Sequence, residues 1–365
     1  MAWATPLGDS LDGVWQRLLD AETGLVAIPH KVRLKNSLGA PCAWPPADQP
    51  ADSRMLDLGV ATVRRALDDA RLPGLGAAEL VIGTSLGAFL EGEPQSAPLH
   101  RYADLIAAAL GAQRQPIALS TACSSGSDAI LVAAELLRAG AAERVVCGGV
   151  DVLTTTKRLA HSSLGTMSTT TLRAFDVRHD GTLLGEGAGF IVLETLDAAA
   201  ARARTPLALL RGVGSANDAA GMTTPDAAGL GARLAIERSL ADAGITPDDV
   251  GVFNAHGSAT PLNDATEAAA LRAVFGADAG TPIVFATKGN FGHSLGATGA
   301  IEAIATLLAL RRGQVPPVYG LERVDPALRL PVAMGAPIAI CARYGLSLTL
   351  GFGGFDTSLV FEVAP

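Results

Sequence analysis

Residues Ile117–Gly140, IALSTACSSGSDAILVAAELLRAG, read as a short apolar strand, a turn of small residues and an Ala/Leu-rich helix stopped at Gly140. The same order returns at Ile283–Gly313, IVFATKGNFGHSLGATGAIEAIATLLALRRG. A duplicated chain would carry two such units, each half supplying one elbow to a shared site; two unrelated βα units of similar composition would read the same way. Around them, Leu80–Ser85 and Arg144–Gly149 read as further strands. Strands alternating with helices predict an α/β protein with parallel or mixed sheets. The Ala-rich, charged stretch Asp197–Thr205 is the expected junction between an N-terminal half, residues 1–200, and a C-terminal half, residues 201–365.

The chain has 365 residues, enough for one large α/β domain or two of ordinary size. Its 49% hydrophobic and 18% charged residues predict a large buried core and argue against disorder. Lys and Arg number 28 against 36 Asp and Glu, a net charge of −8 with no basic run, which argues against nucleic acid as a partner. No uncharged apolar stretch reaches the roughly 18 residues that would suggest a membrane span. The opening MAWATPLGDSLDG lacks the cationic start and apolar core of a signal peptide. Cys42, Cys123, Cys147 and Cys341 form no CxxC pair and are too few for a disulfide scaffold, so the expectation is reduced thiols in a cytoplasmic protein.

Cys123 lies in Thr121-Ala122-Cys123-Ser124-Ser125-Gly126, between strand and helix. A thiol at a helix N-terminus is expected to have a lowered pKa, because the dipole and free N–H groups favour the thiolate. The small neighbours leave the turn open, as in a nucleophile elbow. The other three cysteines read as inert. His256, in Asn254-Ala255-His256-Gly257-Ser258, and His293, in Asn290-Phe291-Gly292-His293, each follow an apolar strand, where ligand sites of α/β sheets are built. His30, His100, His161 and His179 have no comparable setting and read as surface or packing residues. No HExxH, HxH or Cys/His pair has metal-ligand spacing. In Asp176–Gly181, Arg178 stands where a calcium loop needs a ligand. Gly185–Gly189 is not GxGxxG, and Gly289–Gly296 lacks the GK[ST] of a phosphate loop.

Five separated blocks, in order, resemble the β-ketoacyl-acyl-carrier-protein synthases, the decarboxylating condensing enzymes of the thiolase superfamily. They are TACSSGSDAI from Thr121, FDVRHDGTLLGEGAGFIVLE from Phe175, NAHGSATPLNDATEAAAL from Asn254, TKGNFGHSLGATGAIEAI from Thr287 and LGFGGFDTSLVFE from Leu350. TPLGDSLDGVWQRLLDAETGL from Thr5 is similar to the family's N-terminal segment, so the likeness spans nearly the whole chain. It implies the duplicated thiolase-like fold, five αβαβα layers with two mixed sheets, the nucleophile in the first half and both histidines in the second.

The resemblance also implies a Cys-His-His site. Cys123 holds an acyl group taken from acyl carrier protein. His256 and His293 stabilise the enolate formed as malonyl-carrier protein loses CO2. The N–H groups of Cys123 and Phe352 form the oxyanion hole, and Phe352 doubles as a mobile gate. Lys288, five residues before His293, and Glu302, nine after it, become a buried support for that histidine. Ser258 and Thr260 match hydroxyl residues that contact the pantetheine arm. No metal, nicotinamide or flavin is expected. The family's dimers, joined strand to strand, imply a homodimer or a heterodimer with a second ketosynthase-like subunit. An acidic carrier meeting an acidic chain requires a local cationic rim; Arg54, Arg64 and Arg65, on one predicted helix, are the expected docking residues.

Three departures from the family pattern stand out. The segment before Thr5 is too short for the family's usual first strand; Phe355-Asp356 replaces the common Thr-Asn; and Ala259 replaces a common Ser or Thr. The bulk of Phe355 near the gate is expected to alter the pocket. The leading reading is a catalytic ketosynthase of fatty-acid, polyketide or polyene chain extension. A non-catalytic, chain-length-setting partner subunit is the alternative, opposed by the intact Cys-His-His set. A thiolase would need a second cysteine as base, and a cysteine hydrolase would have to admit water to the acyl-cysteine.

Overall fold

In the computed structural model, residues 1–87, 98–276 and 282–364 are described. Strands β1 (Ala2–Ala4), β2 (Glu79–Gly83), β3 (Ile117–Leu119), β4 (Arg144–Asp151) and β5 (Gly187–Glu194) form one sheet in the order β1-β5-β4-β2-β3. Strands β6 (Ala208–Asn217), β7 (Val250–Asn254), β8 (Ile283–Phe285), β9 (Tyr344–Gly351) and β10 (Phe355–Val363) form a second in the order β6-β10-β9-β7-β8. The pairings match one for one. β2 lies parallel to β3 and β4, as β7 does to β8 and β9; β5 is antiparallel to β4 and β1, as β10 is to β9 and β6.

Helices complete five αβαβα layers. α1 (Ala51–Asp69) and α2 (Arg101–Ala109) cover the outer face of the first sheet, where Met55, Leu58, Val63 and Ile106 join its core. α3 (Ser125–Arg138) and α6 (Thr298–Arg312) lie between the sheets, while α4 (Leu230–Ala243) and α5 (Pro261–Phe275) close the far side. Position explains pattern. α6 touches both sheets and is buried at every residue from Thr298 to Leu310, so its apolar residues run round every face and Glu302 is its one buried charge. β4, covered on both faces, is buried from Val145 to Asp151 and reads as a near-continuous apolar run.

The two quoted stretches are β3 with α3 and β8 with α6. Each helix is entered through a short 3₁₀ turn, Ala122–Ser124 or Leu295–Ala297, whose first residue is left-handed, with φ +52° at Ala122 and +50° at Leu295. Matched on these turns, Cys123 corresponds to Gly296 and Gly126 to Gly299. The helices meet backbone to backbone there. A Cβ on Gly126 would lie 2.9 Å from the Ala300 nitrogen, and one on Gly299 would lie 2.7 Å from the Ser127 nitrogen. Gly126→Val should therefore cost at least about 2 kcal/mol through overpacking. The expected readout is a thermal midpoint several degrees lower; an unchanged midpoint would mean the helices do not touch there.

The expected absence of a first strand is corrected. Ala2–Ala4 pairs antiparallel with Gly189, Phe190 and Ala188 of β5, so three residues suffice to complete the sheet edge. The chain crosses to the second sheet between Glu194 and Ala208, through a short helix at Leu196–Ala201. Among the described residues no helix is long and apolar enough to cross a membrane.

Candidate active site

The pseudo-symmetric elbows bring Cys123 and His293 together although 170 residues separate them: the imidazole Nε2 lies 3.1 Å from the sulfur. Cys123 sits in the turn between β3 and α3, and His293 between β8 and α6. His256, just beyond β7, completes the set, its ring perpendicular to that of His293 with centroids 5.3 Å apart. The Phe352 N–H, from the turn between β9 and β10, donates to the Cys123 sulfur. All three reactive side chains are buried, with Cys123 5% exposed and each histidine 3%.

Neighbours fix the proton positions of both rings. Lys288 Nζ donates to the His256 carbonyl and, at 2.5 Å, to Glu302 Oε1, and it lies 3.2 Å from His256 Nδ1. An ammonium has no lone pair to offer, so Nδ1 accepts and the ring proton resides on Nε2. The Leu295 N–H, which can only donate, points at His293 Nδ1 from 3.3 Å, with the Thr298 hydroxyl 2.9 Å away. His293 therefore also carries its proton on Nε2, the nitrogen facing Cys123. Burial first, and then the charge of Lys288, hold both imidazoles well below the ordinary histidine pKa. The site thus presents neutral N–H donors rather than imidazolium cations.

The expected low thiol pKa is corrected. Burial pushes Cys123 up to about 11, outweighing Lys288 and the Phe352 N–H, which pull it down. Desolvation of a charge exceeds the help of one short helix end. The resting nucleophile is a protonated thiol. Burial likewise pushes Glu302 up to about 7 against the pull of Lys288. The Lys288–Glu302 pair supports His256 directly, rather than the expected His293, whose ring is held by Thr298 and Leu295.

A cavity of about 410 Å³ opens onto these groups. Ser258 and Thr260 line it, with hydroxyls 3.2 Å apart. Phe352 stacks on His161, centroids 5.7 Å apart and ring planes 18° from parallel. His161, read from the sequence as a surface or packing residue, is therefore part of the cavity wall, and burial pushes its pKa down to about 4.

Phe355 stands at the surface, 39% exposed, so the departure that shapes the cavity wall is Asp356, 4% exposed. Burial, then Asp218, Glu267 and Asp128, push this carboxyl up to about 8. A carboxyl with a raised native pKa binds its proton more tightly in the folded chain. Stability is therefore lost as pH rises from about 4 to about 8, at roughly 1.4 kcal/mol per pH unit at most. Asp356→Asn should raise the thermal midpoint clearly at pH 9 and little at pH 5. Equal effects at both pH values would contradict this.

Sequence reasoning missed several supporting groups. Glu267 accepts the N–H groups of His256 and Gly257, each at 2.7 Å, and so pins the histidine loop. It lies within the quoted block from Asn254, as Thr298 lies within the block from Thr287; both stood in view without a spacing rule to mark them. The docking trio is corrected. Arg54 is buried, 5% exposed, and ion-paired with Glu186, whose carboxylate also accepts the N–H groups of Cys42 and Leu153. Arg65 pairs with Asp9, and only Arg64 is exposed. His179 is bonded to Asp264 of α5 at 2.8 Å, and the other oxygen of that carboxylate accepts the Ala259 N–H.

The family described as Beta-ketoacyl synthase, N-terminal domain, matches residues 1–199, and Beta-ketoacyl synthase, C-terminal domain, matches residues 207–322. The 3-oxoacyl-[acyl-carrier-protein] synthase 2 of Synechocystis sp. is 31% identical, over 98% of this chain and 95% of its own. The enzyme of the same name from Vibrio cholerae is 31% identical, over 99% of this chain and 97% of its own. Among solved structures, a β-ketoacyl synthase from Burkholderia phymatum superposes with a TM-score of 0.90 at 29% identity, covering 100% of this chain and 98% of that one. The ishigamide ketosynthase/chain length factor gives a TM-score of 0.90 at 28% identity, with the same coverage.

Proposed function

This chain belongs to the β-ketoacyl synthase family of the thiolase superfamily, a β-ketoacyl-acyl-carrier-protein synthase and hence a condensing acyltransferase, and from that premise we propose that Cys123 carries the acyl group while His256 and His293 promote decarboxylation. The observation that carries this reading is His293 Nε2 3.1 Å from the Cys123 sulfur, with the His256 ring packed against that of His293.

The Cys123 sulfur attacks the carbonyl of an acyl thioester on the carrier. The tetrahedral oxyanion rests on the N–H groups of Cys123 and Phe352. Collapse forms the acyl-cysteine, and the thiol proton leaves with the carrier's pantetheine thiol. Because the resting thiol is protonated, this proton is lost as the sulfur attacks, with His293 facing the developing thiolate while the Phe352 N–H passes from the sulfur to the oxyanion. Malonyl-carrier then enters past Ser258 and Thr260, whose hydroxyls suit the amide groups of the pantetheine arm. Its thioester carbonyl accepts from the Nε2–H groups of His256 and His293. CO2 departs, and the electrons of the broken C–C bond become the enolate those donors stabilise. The enolate carbon attacks the acyl-cysteine, the C–S bond breaks, and Cys123 recovers a proton as the β-ketoacyl-carrier forms. Glu267, Lys288 and Glu302 hold the histidines and contact no substrate.

No metal or redox cofactor enters this sequence of steps. The partners it requires are acyl carrier proteins, and the likeness to a ketosynthase/chain length factor supports a second ketosynthase-like chain as an assembly partner. The test is to mix the chain with acyl-carrier and malonyl-carrier proteins and weigh the carrier products. A β-ketoacyl-carrier, with CO2 released in equal amount, is expected. Absence of product from the chain alone, with product when a second ketosynthase subunit supplying its own nucleophile is added, would overturn the reading in favour of a partner subunit.

A further inference from the structure

At the opposite end of α3 from Cys123 lies a second cavity of about 570 Å³, built where the chain crosses from the first sheet to the second. Its walls are Ala134 and Arg138 near the end of α3, Ile191–Glu194 of β5 and the start of β6. α3 has 14 residues, so the two cavities are separated by a helix about 20 Å long. They share no lining residue.

Its polar lining is dominated by arginine. Arg138, Arg202 and Arg211 are paired with Asp242, Glu194 and Glu362 respectively. Arg71 and Arg204 also line the cavity, and among the described residues neither has an ion-pair partner. Both line one cavity, and desolvation first, then the charges of Arg71 and Arg202, push the Arg204 pKa down against the opposite pull of Glu194. The two carboxylates of the lining, Asp69 and Glu194, are engaged by the N-terminal amine and by Arg202, so two mutually repelling guanidiniums without an ion-pair partner leave room for an anion beside them. Beside them the lining is apolar. Leu196 is 61% and Leu207 42% exposed here, next to Leu193, Leu209 and Phe361. Large aliphatic side chains left open at a crevice mark a surface that gains by being covered.

We propose that this cavity binds an amphipathic anion, its carboxylate or phosphate head between Arg71 and Arg204 and its alkyl tail along Leu193, Leu207 and Leu209. Guanidinium forks match the planar or trigonal oxygens of either head group. The leucine-lined floor suits an alkyl chain, and the cavity volume lies in the range of small-molecule sites. The site is separate from the acyl-cysteine and its occupancy does not depend on the condensation reaction.

The test uses the full chain carrying Cys341→Ser and alkylated by iodoacetamide, with the adduct located on Cys123 by peptide mapping, so that the reactive cavity is blocked. Calorimetric titrations with dodecanoate, dodecyl phosphate, inorganic phosphate and dodecanol separate head from tail. The expected result is one equivalent of dodecanoate or dodecyl phosphate bound, the tighter of the two identifying the head group, with phosphate or dodecanol alone at least about tenfold weaker. The Arg71→Glu/Arg204→Glu pair should weaken binding at least about tenfold, as should the milder Arg71→Ala/Arg204→Ala pair, while Arg64→Glu, a charge reversal elsewhere, should not. Melting curves of the variants guard against loss of fold. No saturable binding of either amphiphile, or equal weakening by Arg64→Glu, would overturn the proposal.

Discussion

Cys123→Ala should abolish condensation, lowering the rate by at least about 10⁴-fold, because the covalent acyl intermediate then has no atom to form on. No other thiol can replace it. Cys42 is buried against the Glu186 carbonyl and Cys147 against that of Ile191, with burial pushing both thiols upward in pKa, while Cys341 is exposed on another part of the chain. The substitution should leave the fold intact, since among the described residues the hydrogen-bond partners of the thiol it removes are His293 and the Phe352 N–H. The measurement is β-ketoacyl-carrier formed per enzyme with wild type and variant side by side. Condensation by the variant within tenfold of wild type would place the nucleophile elsewhere.

His293→Ala should divide the reaction. Acyl transfer to Cys123 should continue, slowed by loss of the donor facing the sulfur, because the oxyanion hole proposed at the N–H groups of Cys123 and Phe352 does not involve the imidazole. Malonyl decarboxylation should fall by about 10²–10³-fold, the usual effect of removing one donor from a developing oxyanion. His256 alone keeps its Nε2–H, fixed by Lys288. The two half-reactions are read separately, as acyl adduct on the protein and as CO2 from malonyl-carrier. A variant that decarboxylates at the wild-type rate would remove His293 from its assigned task. One that no longer accepts an acyl group would make it the base for the thiol instead.

Chain pattern and chain packing carried different parts of this account. The two elbows were readable because their strand, small-residue turn and helix repeat in order, and the small residues prove to be where the central helices touch. Cys123, His256 and His293 were readable because they sit at the strand ends that face one another across the pseudo-symmetry. Charge states were not. A helix-dipole argument sees the turn around Cys123, whereas the pKa is decided by burial, which outweighs the downward pull of Lys288 and the Phe352 N–H. Arg54 looked like a surface arginine on a helix, yet its partner Glu186 is 132 residues away. The family resemblance implies that Lys288 supports His293, whereas folding brings it to the His256 carbonyl. The Asp356 substitution was visible, but its consequence depends on Asp218, Glu267 and Asp128, three carboxyls from three other segments.

The most direct test of the account is to trap the acyl-enzyme. Wild-type chain is incubated with an acyl-carrier protein and its intact mass is read, followed by peptide mapping and then by addition of malonyl-carrier. One acyl group per chain is expected, on the peptide containing Cys123, absent from Cys123→Ala and discharged into β-ketoacyl-carrier when malonyl-carrier is supplied. An adduct on another residue, or none across a series of acyl chain lengths, would contradict it.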